Sequence, residues 1–196
     1  MNVRLLAALL MSFITLQAAQ VRAQETAKWR VGANYGIMNE KKFAYTKTDE
    51  GAPAGLEVAR KLGEKFELGF SYAYAAVDYE ITILSYKFGF YDHFFMLFGN
   101  YRMDTLVKGL YIGPQLGFVS RSLRKDGDNI GLDAVALGAR AGYDYFLTER
   151  LSVGAQAQYV SVGKAEKTVT DDNAEVTYSA AATNFMQYLL SVNYRF

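Results

Sequence analysis

His93 is the one imidazole in this chain of 196 residues; it directly follows Asp92, with Ser85 and Tyr86 close by in sequence. A hydroxyl activated by an imidazole that a third group orients is the arrangement for acyl transfer. Nothing in the spacing brings Ser85 to His93, so His93 reads as a hydrogen-bonded residue at a strand end, and no catalytic site is assigned. Asp171, Asp172 and Glu175 offer oxygen ligands of the kind calcium takes, but their spacing does not fit an EF-hand loop and suits a solvated external loop. The chain has no Cys, which removes thiolate metal sites and disulfides. Its 17 Gly never cluster before a helix as a phosphate cradle would require. No residue pattern asks for a metal or a cofactor.

The more informative charged residues are dispersed. Arg30, Glu57, Glu67, Arg102, Arg140, Asp144 and Arg195 stand in stretches otherwise made of Gly, Ala, Ser, Gln and apolar side chains. Charges of opposite sign confined away from water must pair, because each is costly to bury alone. Glu57 and Glu67 are expected to pair among Arg30, Arg102 and Arg140, with Asp144 and Arg195 on the same side of their strands. Such a network can be a structural plug or a gate, and a plug is the expectation.

These residues need strands to position them. In the final stretch, Met186, Tyr188, Leu190, Val192, Tyr194 and Phe196 alternate with Gln187, Leu189, Ser191, Asn193 and Arg195. Period two is the signature of a strand with one apolar and one largely polar face. The same alternation predicts strands at about 28–38, 54–61, 66–77, 93–102, 109–120, 130–146 and 151–162, with the eighth beginning near Ser179. Asn100 and Arg102 set the inward register of the fourth, where the run Phe94-Phe95-Met96-Leu97-Phe98 hides the alternation. Pro114 inside the fifth costs a ladder bond and is tolerable at a bulge. Connections alternate long and short: roughly 39–53, 78–92, 121–129 and 163–178 against 62–65, 103–108 and 147–150. The stretch 78–92, with Ile81, Ile83, Tyr86, Phe88 and Phe90, reads either as strand extensions or as a folded loop.

A composition with 15 Tyr and 13 Phe beside the Gly favours β structure. Arg4, the apolar run Leu5 to Leu16 and the small residues before Gln24 read as a signal peptide of residues 1–23, cut between Ala23 and Gln24. Without Arg4 and Arg22 the charge is 19 − 20 = −1, with no basic stripe for nucleic acid. Residues 24–196 then form one exported domain. Length asymmetry of the connections is that of up-and-down bacterial barrels, with short periplasmic turns and longer external loops. Trp29, Phe66, Tyr101, Tyr143, Tyr145, Tyr194 and Phe196 fall at the ends of strands on the short-turn side, as a periplasmic aromatic girdle requires. The expected fold is all-β: an eight-stranded antiparallel up-and-down transmembrane barrel, whose interior is just wide enough for side chains to fill.

On these patterns the mature chain resembles the small eight-stranded outer-membrane proteins, the OmpA transmembrane domain, OmpX and OmpW group. The terminal alternation of Tyr188, Leu190, Val192, Tyr194 and Phe196 is similar to the signal read by the barrel assembly machinery of Gram-negative bacteria. The resemblance implies an outer-membrane location, surroundings of membrane lipid and lipopolysaccharide, and a monomer. Three roles follow: a structural or surface-interaction barrel; a narrow conduit for small or apolar molecules, suggested by the aromatic stretch 78–92; and, since some such barrels modify lipid A with His, Ser and an acid, a lipid-modifying enzyme. The first is the expectation.

Overall fold

A computed structural model describes residues 28–40, 46–48, 51–81, 86–125, 128–171 and 174–196. The strands are β1 (Trp29–Glu40), β2 (Thr46–Thr48), β3 (Ala54–Lys61), β4 (Phe66–Ile81), β5 (Tyr86–Arg102), β6 (Leu110–Lys125), β7 (Asp128–Phe146), β8 (Leu151–Val162), β9 (Ala165–Asp171), β10 (Ala174–Ala180) and β11 (Thr183–Arg195). Eight of them close a cylinder in the order β1-β3-β4-β5-β6-β7-β8-β11, every neighbour antiparallel, and β11 returns to β1 to seal it. Closure leaves no sheet edge along the wall, which is what a spanning β structure needs in hydrocarbon. Among the described residues no helix is long and apolar enough to cross a membrane.

Period two in the sequence becomes inside and outside here. Leu56, Leu137 and Leu190 are 63%, 61% and 71% exposed on the outer wall, whereas Arg140, Asp144 and Asn193 each keep only 1% of their surface. The polarity of a soluble core is thus inverted, as expected where the outer solvent is lipid. Phe70, Leu97, Leu116 and Leu137 stand directly opposite one another across four adjacent strands, forming part of an apolar band at one level of the wall. At the short-turn end Phe66 and Tyr101 meet edge to face at 5.3 Å, and Tyr194 stacks with Phe196 at 6.4 Å. Trp29 and Phe196 are also exposed there, while Tyr143 and Tyr145 are half-buried.

Of the two readings of 78–92, strand extension holds, since β4 and β5 pair out to Ile81 and Tyr86. Two expected boundaries change. The connection at 121–129 is mostly strand, with β6 and β7 pairing out to Lys125 and Asp128. Its polar start at Arg121 marks it as a loop in sequence, but Arg121 faces Asp92 inside the barrel. Between 163 and 178 the chain forms the hairpin of β9 and β10, so the last wall strand begins at Thr183 and Ser179 belongs to β10. Finally, Pro114 requires no bulge. The β5–β6 register is unchanged on either side of it, since Phe98↔Gln115 and Tyr101↔Ile112 both sum to 213; the ladder simply lapses opposite Gly99 and Asn100. A Cβ on Gly113 would lie 1.7 Å from the Gly99 carbonyl oxygen, so Gly113 permits a close strand approach beside the proline.

The short turns are tight. Gly63, with φ of 129°, and Gly109, with φ of 94°, occupy the left-handed region that suits glycine, and Leu62 N–H and Leu147 N–H donate to the carbonyls of Phe66 and Leu151. Residues 1–27, including Ala23 and Gln24, lie outside the described residues, as do Ser85 and Asp172.

Candidate functional site

The inward faces of the eight wall strands converge on the bore, and its short-turn half holds an ionic lattice. Arg30 on β1 is the hub: its Nη1 contacts Glu57, its Nη2 lies 2.5 Å and its Nε 3.2 Å from Glu67 Oε1, and Nη1 donates to Asn193 Oδ1 at 2.9 Å. Glu57 also receives Arg140 Nη2 at 2.9 Å from the far wall. Asp144 Oδ2 takes Arg195 Nη2 at 2.9 Å and lies 3.4 Å from Arg102 Nη1. Asn100 and Asn193 add donors to Glu67 and Asp144 at 3.2 Å. Arg30, Glu57, Glu67, Arg102, Arg140, Asp144 and Arg195 therefore meet in one network. Glycine makes room for it, since a Cβ on Gly32 would strike Asn193 Oδ1 at 2.2 Å and one on Gly142 the Tyr111 hydroxyl at 2.4 Å. Arginine planes also rest on rings: Arg140 lies 4.0 Å from the Phe98 centroid and Arg195 4.3 Å from that of Phe146.

Above this lattice is an amide layer in which Gln158 donates to Gln187 at 2.9 Å, and Gln187 to the Met38 sulfur at 3.3 Å. The loop-side half beyond it is apolar: Met38, Val77, Phe94, Met96, Val119, Val160 and Phe185 are buried against one another. Phe94 and Phe185 pack edge to face at 5.5 Å. This half also holds an ion pair between adjacent strands, Arg121 Nε and Nη2 donating to the two oxygens of Asp92 at 2.8 and 2.9 Å, with the guanidinium over Phe90 and Phe185. The expected pairing of dispersed charges describes the short-turn half and gives no hint of this apolar one. The signal was the run 94–98, in which both faces are apolar because both are buried in something: lipid outside, neighbouring rings inside.

His93 points the other way, outward among Tyr72, Tyr74 and Phe95. Its Nδ1 lies 2.9 Å from the Tyr72 hydroxyl, and its ring is 5.1 Å from that of Tyr74. In register it stands opposite Ser120, which stands opposite Asp133, so a hydroxyl does neighbour the imidazole, on an adjacent strand and not at Ser85. No Ser120–His93 hydrogen bond is present among the described residues. Among those residues no group of three His, Asp or Glu is placed to hold a metal.

At the short-turn end the lattice opens through a recess. Asp104, from the turn between β5 and β6, accepts from Arg102 Nε at 3.0 Å and from the Gly109 N–H at 2.7 Å, which fixes that turn over the bore. Lys108 in the same turn lies over the Phe146 ring at 5.5 Å. Burial holds its ammonium pKa below the usual lysine value, with nearby Arg195 and Arg102 acting in the same direction and Asp104 against.

A family model of the outer membrane protein beta-barrel domain matches residues 6–196. The chain belongs to this family. Its location in a Gram-negative outer membrane follows from the family. Among solved structures, Neisserial surface protein A superposes with a TM-score of 0.60 at 15% identity, covering 86% of this chain and 97% of that one. The outer membrane protein OprG from Pseudomonas aeruginosa gives 0.56 at 16%, covering 87% and 96%. The outer membrane protein AlkL gives 0.50 at 14%, covering 87% and 90%. At these identities the likeness establishes a shared barrel fold. A comparison with curated proteins finds no match.

Proposed function

We propose that this outer-membrane barrel has a structural or surface-interaction role, standing as a monomer in lipid and lipopolysaccharide with its loop end outside the cell and its bore closed. One observation carries the reading: the bore is occupied along its length, by paired charges at one end and packed apolar side chains at the other. Eight strands leave little width beyond what side chains fill. The terminal strand ending at Phe196 is the assembly signal in this reading, and its outward Tyr188, Leu190, Val192 and Tyr194 remain on the lipid face for recognition before closure. Planar-bilayer recording of the wild type and of Glu67→Gln tests it. The expectation is no steady conductance in either and a lower melting temperature in the variant; a stable open state in the wild type overturns it.

The apolar loop-side half favours a second reading, a narrow conduit for small apolar molecules, because an apolar solute entering from the loops would meet Phe90, Phe94 and Phe185, with the Asp92–Arg121 pair already neutralised between them, before the ionic lattice. Uptake of a fluorescent apolar probe into proteoliposomes, absent in empty vesicles, would favour it over the closed barrel. The lipid-modifying reading has the weakest support: Tyr72 already engages His93 Nδ1, and the neighbouring Ser120 makes no bond to the ring. Lipid A mass spectra from cells bearing His93→Ala test it.

A further inference from the structure

The recess at the short-turn end of the bore is lined by five basic side chains, Lys28, Arg30, Lys61, Arg102 and Arg195, against two carboxylates, Glu67 and Asp104. Both carboxylates are already committed. Glu67 is held by Arg30, and Asp104 by Arg102 and the Gly109 N–H. Arg195 has Asp144 deeper in the bore. Lys28 and Lys61 make no ion pair among the described residues, and the backbone N–H of Lys61 donates to the Lys28 carbonyl at 2.8 Å, which holds the two residues side by side at the rim. One oxygen of the Phe196 terminal carboxylate accepts from the backbone N–H groups of Lys28 and Trp29, which places a third anion beside the rim against the five cations. Positive charge thus gathers in a recess with low-dielectric walls, where field lines are focused and a counter-ion is concentrated.

From this we propose that the recess is a binding site for an oxyanion of the phosphate class. Its volume of about 30 Å³ accommodates roughly two water-sized groups. It therefore takes two oxygens of the anion against Arg195, of which only Nη2 is engaged by Asp144, and leaves the rest of the ligand at the rim beside Lys28 and Lys61; Arg102, held along both edges by Asp104 and Asp144, adds to the field without a free donor. A free phosphate and a phospholipid head group both present this chemistry. The lipid can reach it, because Trp29 lines the recess and also faces the outer wall, where Arg60 lies over its ring at 5.5 Å. In bacterial barrels the short-turn end faces the periplasm, so the inner-leaflet head groups lie at this level.

Trp29 is the chain's only tryptophan, so its emission reports the site. The full chain, folded in a phosphate-free non-ionic detergent at constant ionic strength, is titrated with inorganic phosphate while Trp29 emission and the 31P signal are followed. The expected result is a saturable change in one or both, with affinity weakened about fivefold in Lys28→Gln and in Lys61→Gln, as for loss of one exposed charge pair, and lost in the double variant. Both lysines lie at the rim, so heat-modifiable migration should show these variants folded. Repeating the titration in phosphatidylglycerol vesicles separates the sources: a response abolished there means that the lipid head group occupies the site, and one retained there means that free phosphate does. Absence of a saturable response by both readouts in the wild type, or its persistence in the double variant, overturns the proposal.

Discussion

Arg140 Nη2 lies 2.9 Å from Glu57 Oε2, and the two residues stand on β7 and β3, opposite walls of the eight-strand ring. This contact spans the bore and does not follow the ladder, so it ties together strands that share no backbone hydrogen bond. Glu57 also contacts Arg30, while Arg140 Nε and Nη1 have no hydrogen-bond partner among the described residues. Removing the carboxylate charge would leave Arg140 buried with little compensation. Glu57→Gln is expected to destabilise the barrel by about 3 kcal/mol, the scale for breaking a buried pair on one side. Urea unfolding in vesicles, followed by gel migration, measures it, and the pairing matters little if the midpoint is unchanged.

On the lipid face the same logic runs in reverse. Leu137 is 61% exposed and lies level with Leu116, Leu97 and Phe70 in the apolar band. Leu137→Arg should cost about 2–4 kcal/mol, as for a cation near the middle of the hydrocarbon. Leu106, in the turn between β5 and β6, is 77% exposed, and Leu106→Arg should cost little. Equal penalties at the two sites would contradict placing the band in the membrane and the turn outside it.

Backbone approach gives a third test. A Cβ on Gly113 would fall 1.7 Å from the Gly99 carbonyl oxygen, and the contacted atom is main chain that cannot swing away. Gly113→Ala should force β5 and β6 apart beside Pro114 and destabilise by about 1–3 kcal/mol, the range for overpacking. Gly131 has open space where its Cβ would be, so Gly131→Ala serves as the control and should fold with wild-type stability.

How far the architecture could be read beforehand depended on what each strand faces. Where one side meets lipid and the other meets the ionic lattice, as in Tyr194, Val192 and Leu190 against Arg195, Asn193 and Ser191, parity alone separates the faces and places Arg30, Glu57, Glu67 and Asp144 inside. Parity fails in β5 and the upper part of β6, because Phe94 and Met96 are as apolar as outward Phe95 and Leu97. It also misleads at Arg121, whose charge marks the start of a loop in sequence yet meets Asp92 within the bore. The neighbourhood of His93 and Ser120 depends on cross-strand register, which no local spacing encodes.

The Asp92–Arg121 pair separates structural packing from a need for charge in the loop-side half. Asp92 is fully buried and its partner is held bidentately between Phe90 and Phe185, so the carboxylate depends on Arg121 in an otherwise apolar setting. Arg121→Met alone leaves Asp92 buried without its cation and should cost about 3–5 kcal/mol, and Asp92→Asn, which removes the carboxylate the guanidinium grips with both Nε and Nη2, should destabilise as well. The double variant Asp92→Leu with Arg121→Met exchanges the pair for apolar bulk matching Phe94, Val119 and Phe185, and an exchange of that kind is commonly neutral or stabilising. The expected pattern in urea unfolding is two destabilised single variants and a double variant near the wild type. If the double variant is as unstable as the singles, Arg121 contributes mainly through its place between the two rings and the cross-strand ion pair is secondary.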